Sequence, residues 1–329
     1  MPYARTVLGD IAPEALGVVY AHEHLVIHGG RPVQLFPDFE LADVDKAVAE
    51  LAPAQELGLR TVVDAMPADC GRDVLMLAEI ARRSGVNVIA PSGLHHERYY
   101  HDRHWSARLS DEEIAELFVA DITEGIDELD YNGPVVKRTE HRAGVMKVAG
   151  STDGLSASDQ KVFAAAGMAQ QRTGCPILTH CEGGTGALEQ VEWLVRHGAD
   201  PAHIVLSHVD KVVDRGYMRA IAATGARVEY DQGFRWGDEE NGTLQLLEWA
   251  AEDGLLGHIT LGLDAARQGY WTQFGGSPGW TYLLAEFSAL LRERGFGDAE
   301  LHTLFVEAPG GAYTFGAVPG RRQAGTPES

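Results

Sequence analysis

Two stretches decide how this chain is read: Cys175-Pro-Ile-Leu-Thr-His180 and His203-Ile-Val-Leu-Ser-His208. Each is a short apolar run that stops on a histidine, and the two histidines stand 28 residues apart. Runs that are apolar throughout suit strands covered on both faces of a parallel sheet. The same form recurs at Gly17 to Ala21, Leu59 to Asp64, Val86 to Ala90, Gly144 to Val148, Ala226 to Tyr230 and His258 to Leu263, which makes eight expected strands. Helical spacing fills the intervals at Asp43 to Leu57, Arg72 to Ser84, Asp111 to Leu129, Ala157 to Thr173, Leu188 to His197, Asp214 to Thr224 and Leu244 to Glu252. Ser110 and Ser156 are placed to cap two of these helices, and Gly58, Gly85, Gly174, Gly198 and Gly225 to end others. Eight strand and helix units predict a single α/β domain, a closed (β/α)8 TIM barrel over residues 1–319, with a polar, disordered tail over 320–329. The long connection from Tyr131 to Arg142 is expected to edge the barrel rim.

The residues at the run ends favour the barrel over an open sheet. His22 and His24, Asp64, His95, Lys147, His180, His208, Asp231 and Asp264 each stand at or just beyond such an end. In a barrel these positions converge at the C-terminal mouth, where the chemistry of such enzymes is carried. His22 and His24 are two apart, so on a strand both imidazoles face one side. Read alone, they fit two exposed loop histidines equally well. With His180, His208 and Asp264 they form a nitrogen and oxygen set suited to zinc or a similar divalent ion. Lys147, in Gly144-Val-Met-Lys147, is the odd member of that group. It reads either as a phosphate-binding or salt-bridged lysine, or as a neutral amine that has added carbon dioxide to give a metal-bridging carbamate.

Composition removes other classes. Lys and Arg number 27 and Asp and Glu 48, so the formal charge is −21, which repels phosphate backbones and anionic lipid surfaces. Neither nucleic acid nor membrane is an expected partner. Cys70, Cys175 and Cys181 are too few for a disulfide framework, the opening residues read as no secretory leader, and no apolar run reaches spanning length, so neither export nor a membrane span is expected. The expectation is a cytoplasmic protein that acts on a small molecule.

Six segments carry a specific resemblance: Ala21-His-Glu-His-Leu25, Gly71-Arg-Asp73, Ala143-Gly-Val-Met-Lys-Val148, Thr179-His-Cys-Glu-Gly-Gly-Thr-Gly-Ala-Leu-Glu-Gln190, Leu206-Ser-His-Val-Asp210 and Leu261-Gly-Leu-Asp-Ala-Ala-Arg267. The chain resembles the phosphotriesterase family of the amidohydrolase superfamily from about Gly17 to Phe315. The resemblance implies a two-metal centre: His22, His24 and Asp264 on the buried ion, His180 and His208 on the more exposed one, and carboxylated Lys147 with a hydroxide between them. Zinc is the expected metal, with cobalt, manganese or iron as alternatives. The hydroxide would attack a carboxylic ester, most readily a lactone, with Asp264 taking its proton, and some phosphotriester hydrolysis is expected beside it. An amidase or phosphoesterase on the same centre, or a metal-containing barrel that only binds a ligand, are the alternatives. A homodimer is the expected assembly.

Around the mouth, His95, Tyr99 and Tyr100 follow the third run, and Arg267, Tyr270, Trp271 and Phe274 follow Asp264; all but Phe274 are the expected substrate contacts. The loop from His95 to Trp105 reads equally as a polar surface loop with an aromatic anchor. Glu182 and Asp231 read as partners that orient ligand histidines. Gly183-Gly-Thr-Gly186 lacks the spacing of a phosphate loop and reads as a turn into a helix. Three positions depart from the lactonases of the family: His95 stands for a Tyr, Gln232 for an Arg, and Ala308-Pro309 for Asn-Pro. An aromatic, apolar wall and the −21 charge predict neutral lactones with an apolar substituent as better substrates than sugar phosphates.

Overall fold

The computed structural model describes residues 1–152, 154–236 and 240–318. Eight strands run β1 Val18–Glu23, β2 Leu59–Asp64, β3 in two segments, Asn87–Ile89 and Pro91–Leu94, β4 Val145–Gly150, β5 Ile177–Cys181, β6 Ile204–Ser207, β7 Arg227–Tyr230 and β8 Ile259–Leu261. Each pairs in parallel with the next in chain order, from β1 to β2 to the first half of β3, and from its second half on to β8. The ring shuts between β8 and β1. There the Asp264 amide donates to the His22 carbonyl at 3.0 Å, and the Glu23 carboxylate accepts from the amides of Leu263 (2.7 Å) and Ala265 (3.3 Å). Gly262 is required at this seam, because a Cβ there would lie 2.8 Å from the His22 carbonyl oxygen.

The helices follow their strands: α1 Val44–Glu56, α2 Val74–Ser84, α3 Asp111–Thr123, α4 Ala157–Thr173, α5 Ala187–Arg196, α6 Arg215–Ala223 and α7 Gly242–Glu252. Ser110 and Ser156 form capping boxes with Glu113 and Asp159, and Gly85 and Gly174 end α2 and α4 in the left-handed conformation. The chain is a (β/α)8 barrel. Inward residues Val19, Ala21, Val63, Ile89, Val145, Leu178 and Val205 pack a buried apolar lower layer with Leu16 and Tyr313. Since the pleat has period two, the next inward positions, Lys147 and His180, lie one layer above Val145 and Leu178.

Two expectations are corrected. The third helix stops at Thr123, not Leu129, because the chain turns at Gly125, whose missing side chain lets it pass the Thr139 carbonyl; a Cβ would lie 1.9 Å from that oxygen. The connection beyond it reaches the mouth only by its tip: Asp130 accepts from the Asp69 amide (2.7 Å) and pairs with Arg72 (2.6 Å), while His141 bonds the Val7 carbonyl and lies within 3.4 Å of Arg82. The expected tail, 320–329, lies outside the described residues. Among the described residues no helix is long and apolar enough to cross a membrane, and the three cysteines are buried and free.

Candidate metal centre

At the top of the barrel the strand ends bring His22, His24, Lys147, His180, His208 and Asp264 together. His24 Nε2 lies 3.2 Å and His22 Nε2 3.7 Å from the same Asp264 oxygen, and Lys147 Nζ is 3.3 Å from His22 Nε2. Behind His22, its Nδ1 is 3.0 Å from Ser207 Oγ and 3.3 Å from Glu229 Oε2. Asp264 and His208 both hold left-handed φ angles, 48° and 66°. Residues other than glycine seldom adopt that region, and strain of this kind clusters at functional sites.

The second group is His180 and His208. His180 Nε2 donates to Glu182 Oε2 at 3.0 Å, and His208 Nδ1 donates to the Asp231 carboxylate. Each ring has thereby committed its proton on the far side, and the remaining nitrogens, His180 Nδ1 and His208 Nε2, face one another at 2.9 Å. In neutral rings with this tautomer both of these nitrogens are acceptors.

Burial sets the charge states. It pushes the imidazoles of His22 and His180 well below their ordinary range and lowers His208, which leaves neutral donors of the kind a metal takes. Burial likewise brings the Lys147 ammonium down to about 8. For Asp264 burial acts the other way, but the His24 hydrogen bond and neighbours that include the Arg235 guanidinium outweigh it and hold the carboxyl well below its usual range. Asp231, in spite of burial, is held at about 2 by His208.

Above the donors a cavity of about 90 Å³ is lined by His95, Tyr99 and the apolar side chains of Ile27, Phe39, Met66 and Ala266. His95 also borders a larger cavity of about 400 Å³ that includes Arg31, Arg98, His101 and His104.

A sequence model of the phosphotriesterase family matches residues 2–313. The chain belongs to that family. Among its relatives is a protein from Mycoplasmopsis synoviae named phospho-furanose lactonase, 36% identical over 319 residues that cover 93% of this chain and 90% of the relative. The fold superposes on an amidohydrolase from Mycoplasma synoviae with a TM-score of 0.90 at 34% identity, over 96% of this chain and 93% of the other. A lactonase from Listeria monocytogenes gives 0.84 at 26% identity, over 96% and 100%. The chain is a hydrolase of the lactonase and phosphotriesterase kind.

Of the family positions read from sequence, all six metal candidates meet at the mouth, and His95 and Tyr99 line the pocket. Four other expected contacts do not line that pocket, although Tyr100 borders the larger cavity beside it. Tyr100 is buried, its hydroxyl accepting from the His95 amide (2.7 Å) and donating to the Ala68 carbonyl (3.1 Å). Trp271 is 1% exposed and turned against Trp280, because buried Glu50 accepts from the backbone of Thr272, Gln273 and Trp280 and pulls that loop inward. Arg267 pairs with Asp38 at 2.6 Å and stacks on Phe39. Tyr270 lines a separate cavity with Phe234, Arg235 and Tyr282. Asp64 is structural, accepting from the amides of Leu25 and Met66.

Two residues at the centre escaped the sequence reading. Glu229 stands inside the barrel against His22; alternation in Arg227-Val-Glu-Tyr-Asp231 would have turned it inward with Asp231. Arg235 donates to the Asp264 carbonyl at 2.8 Å and to the Asp231 carbonyl, and its guanidinium stacks on Phe234 and Tyr270.

Proposed function

We propose that this chain hydrolyses a carboxylic lactone at a centre of two divalent ions. The observation that carries the reading is the His180 and His208 pair, whose lone pairs face each other at 2.9 Å with both N–H groups already given to carboxylates. A cation bound by both nitrogens removes that repulsion, and buried polar atoms are rarely left without a partner. His180 and His208 would hold one ion; His22, His24 and Asp264 would hold the other. Lys147 would join them as a carbamate, formed when its free amine adds carbon dioxide and releases a proton. Zinc suits these ligands, with cobalt, manganese or iron as alternatives. Such ions, when bound, supply a water acidified toward neutrality and an electrophile for the substrate carbonyl.

The chain's own residues do the rest. Asp264, ionised at the pocket floor, is the base that takes the proton and returns it to the leaving alkoxide. Arg235 fixes the backbone on which Asp264 stands. Ile27, Phe39, Met66 and Ala266 give the reacting ester an apolar surround.

A furanose lactone bearing a phosphate is the proposed substrate class, supported by the name of the relative from Mycoplasmopsis synoviae. The apolar lining of the pocket favours a second reading, a neutral lactone with an apolar substituent. The test is kcat/KM on one furanose lactone with and without its phosphate, beside acyl lactones, phosphotriesters and N-acyl amino acids. A preference for the phosphorylated lactone supports the first reading and a preference for neutral lactones the second. A hundred-fold preference for a phosphotriester or an amide would replace both.

A further inference from the structure

The loop after β3 contains four histidines, His95, His96, His101 and His104, and three of them are fixed in one way. Backbone amides donate to the ring Nδ1 of each: His96 to His95 at 2.8 Å, Arg103 to His101 at 3.1 Å and Ser106 to His104 at 3.4 Å. An amide N–H only donates, so Nδ1 of each ring is the acceptor and a neutral ring carries its proton on Nε2. His104 spends that proton on Asp69 at 2.8 Å. His95 does not: among the described residues no protein group accepts from its Nε2, although the ring lines the pocket above the candidate ligands.

The ring is also held in place. Its own backbone N–H is anchored on the Tyr100 hydroxyl at 2.7 Å, the edge of Tyr99 packs against it with centroids 4.7 Å apart, and the His180 ring lies 5.2 Å away. The ring lines the pocket above the candidate ligands, and a preorganised N–H donor at a site where negative charge develops stabilises the transition state without reorganisation.

From the fixed tautomer and the free Nε2–H, the geometry points to His95 as a catalytic residue that hydrogen-bonds the lactone carbonyl oxygen as it becomes the oxyanion. This rests on the lactone-hydrolase reading above. The proton stays on Nε2 throughout; the bond strengthens as charge builds on oxygen, so the effect falls on kcat more than on KM.

The experiment compares His95→Phe and His95→Gln with wild type on the best lactone of the panel, with bound metal measured in each. Phenylalanine keeps the ring without the donor; glutamine places an amide N–H near the position of Nε2. The expectation is a kcat loss on the order of 10²-fold in H95F, with KM within a few-fold and metal content unchanged, and partial recovery in H95Q. Wild-type kcat in H95F, or an H95Q no faster than H95F, would overturn the role of His95 and leave the hydrolase reading standing. A metal-loaded wild type that opens no lactone would overturn both.

Discussion

The two halves of the centre are built from the same chemistry on different foundations. On the β1 and β8 side, His22, His24 and Asp264 sit on the seam that closes the barrel, clasped by the Glu23 carboxylate and backed by Glu229, both fully buried. On the β5 and β6 side, His180 is oriented by Glu182, whose side chain is 32% exposed and also held by Arg98 from the β3 loop at 2.8 Å. His96 lies 3.1 Å from the same carboxylate oxygen. One half is thus part of the fold; in the other, His208 rests on buried Asp231 but His180 depends on a loop. The proposed inner ion should follow the stability of the barrel, and the outer ion the conformation of residues 95–104.

Lys147 belongs to both halves, so its loss should erase the comparison altogether. Lys147→Ala is expected to lose both ions and all measurable turnover, with part of each returning on addition of a small carboxylate, as read by metal analysis and assay. Asp264→Asn keeps the shape of the inner half and removes its base; a kcat loss of about 10²-fold or more, with unchanged circular dichroism, is expected, and activity within a few-fold of wild type would reject the role.

The halves separate at their supporting carboxylates. Partners that orient ligand histidines are worth roughly 10- to 100-fold in metal affinity. Glu182→Gln should therefore weaken one ion and Glu229→Gln the other, and chelator titrations should show the first released early in E182Q and the second in E229Q. Loss of the same ion from both variants would mean that the halves are not independent.

Reconstitution of metal-stripped protein with metal at a fixed concentration of dissolved carbon dioxide gives a pH test. Only the free amine of Lys147 adds carbon dioxide, and with its pKa near 8 the reactive fraction rises about tenfold per pH unit below that value and levels off above it. The smallest effect is expected at the seam. Glu23→Gln leaves the two amide donors of Leu263 and Ala265 with a weaker acceptor, at a cost of about 1–3 kcal/mol, to be read as a lower melting temperature with the outer ion unaffected.

How much of this was legible in the sequence follows the same division. Polar ends on apolar runs are local patterns, so the eight strands, Ser110 and Ser156 as caps, and the four histidines with Asp264 could be found by spacing, while Lys147 as a ligand rests on the family resemblance. The pocket wall could not. Trp271 reads as a rim aromatic until Glu50, over 200 residues away, is seen to draw its loop inward. Arg267 looks free until Asp38 is placed beside it. Glu229 pairs across the barrel with His22, and Arg235 reaches a carbonyl 29 residues on; such partners are chosen by closure of the ring and leave no periodic trace.

The most direct test of the central claim is a high-resolution crystal structure of the metal-loaded protein, paired with metal analysis of the same sample. The account predicts two divalent ions per chain, one on His22, His24 and Asp264 and one on His180 and His208, with density for a carboxylated Lys147 between them. A fully metal-loaded protein with an unmodified Lys147 side chain, or a single ion shared by all six residues, would contradict it.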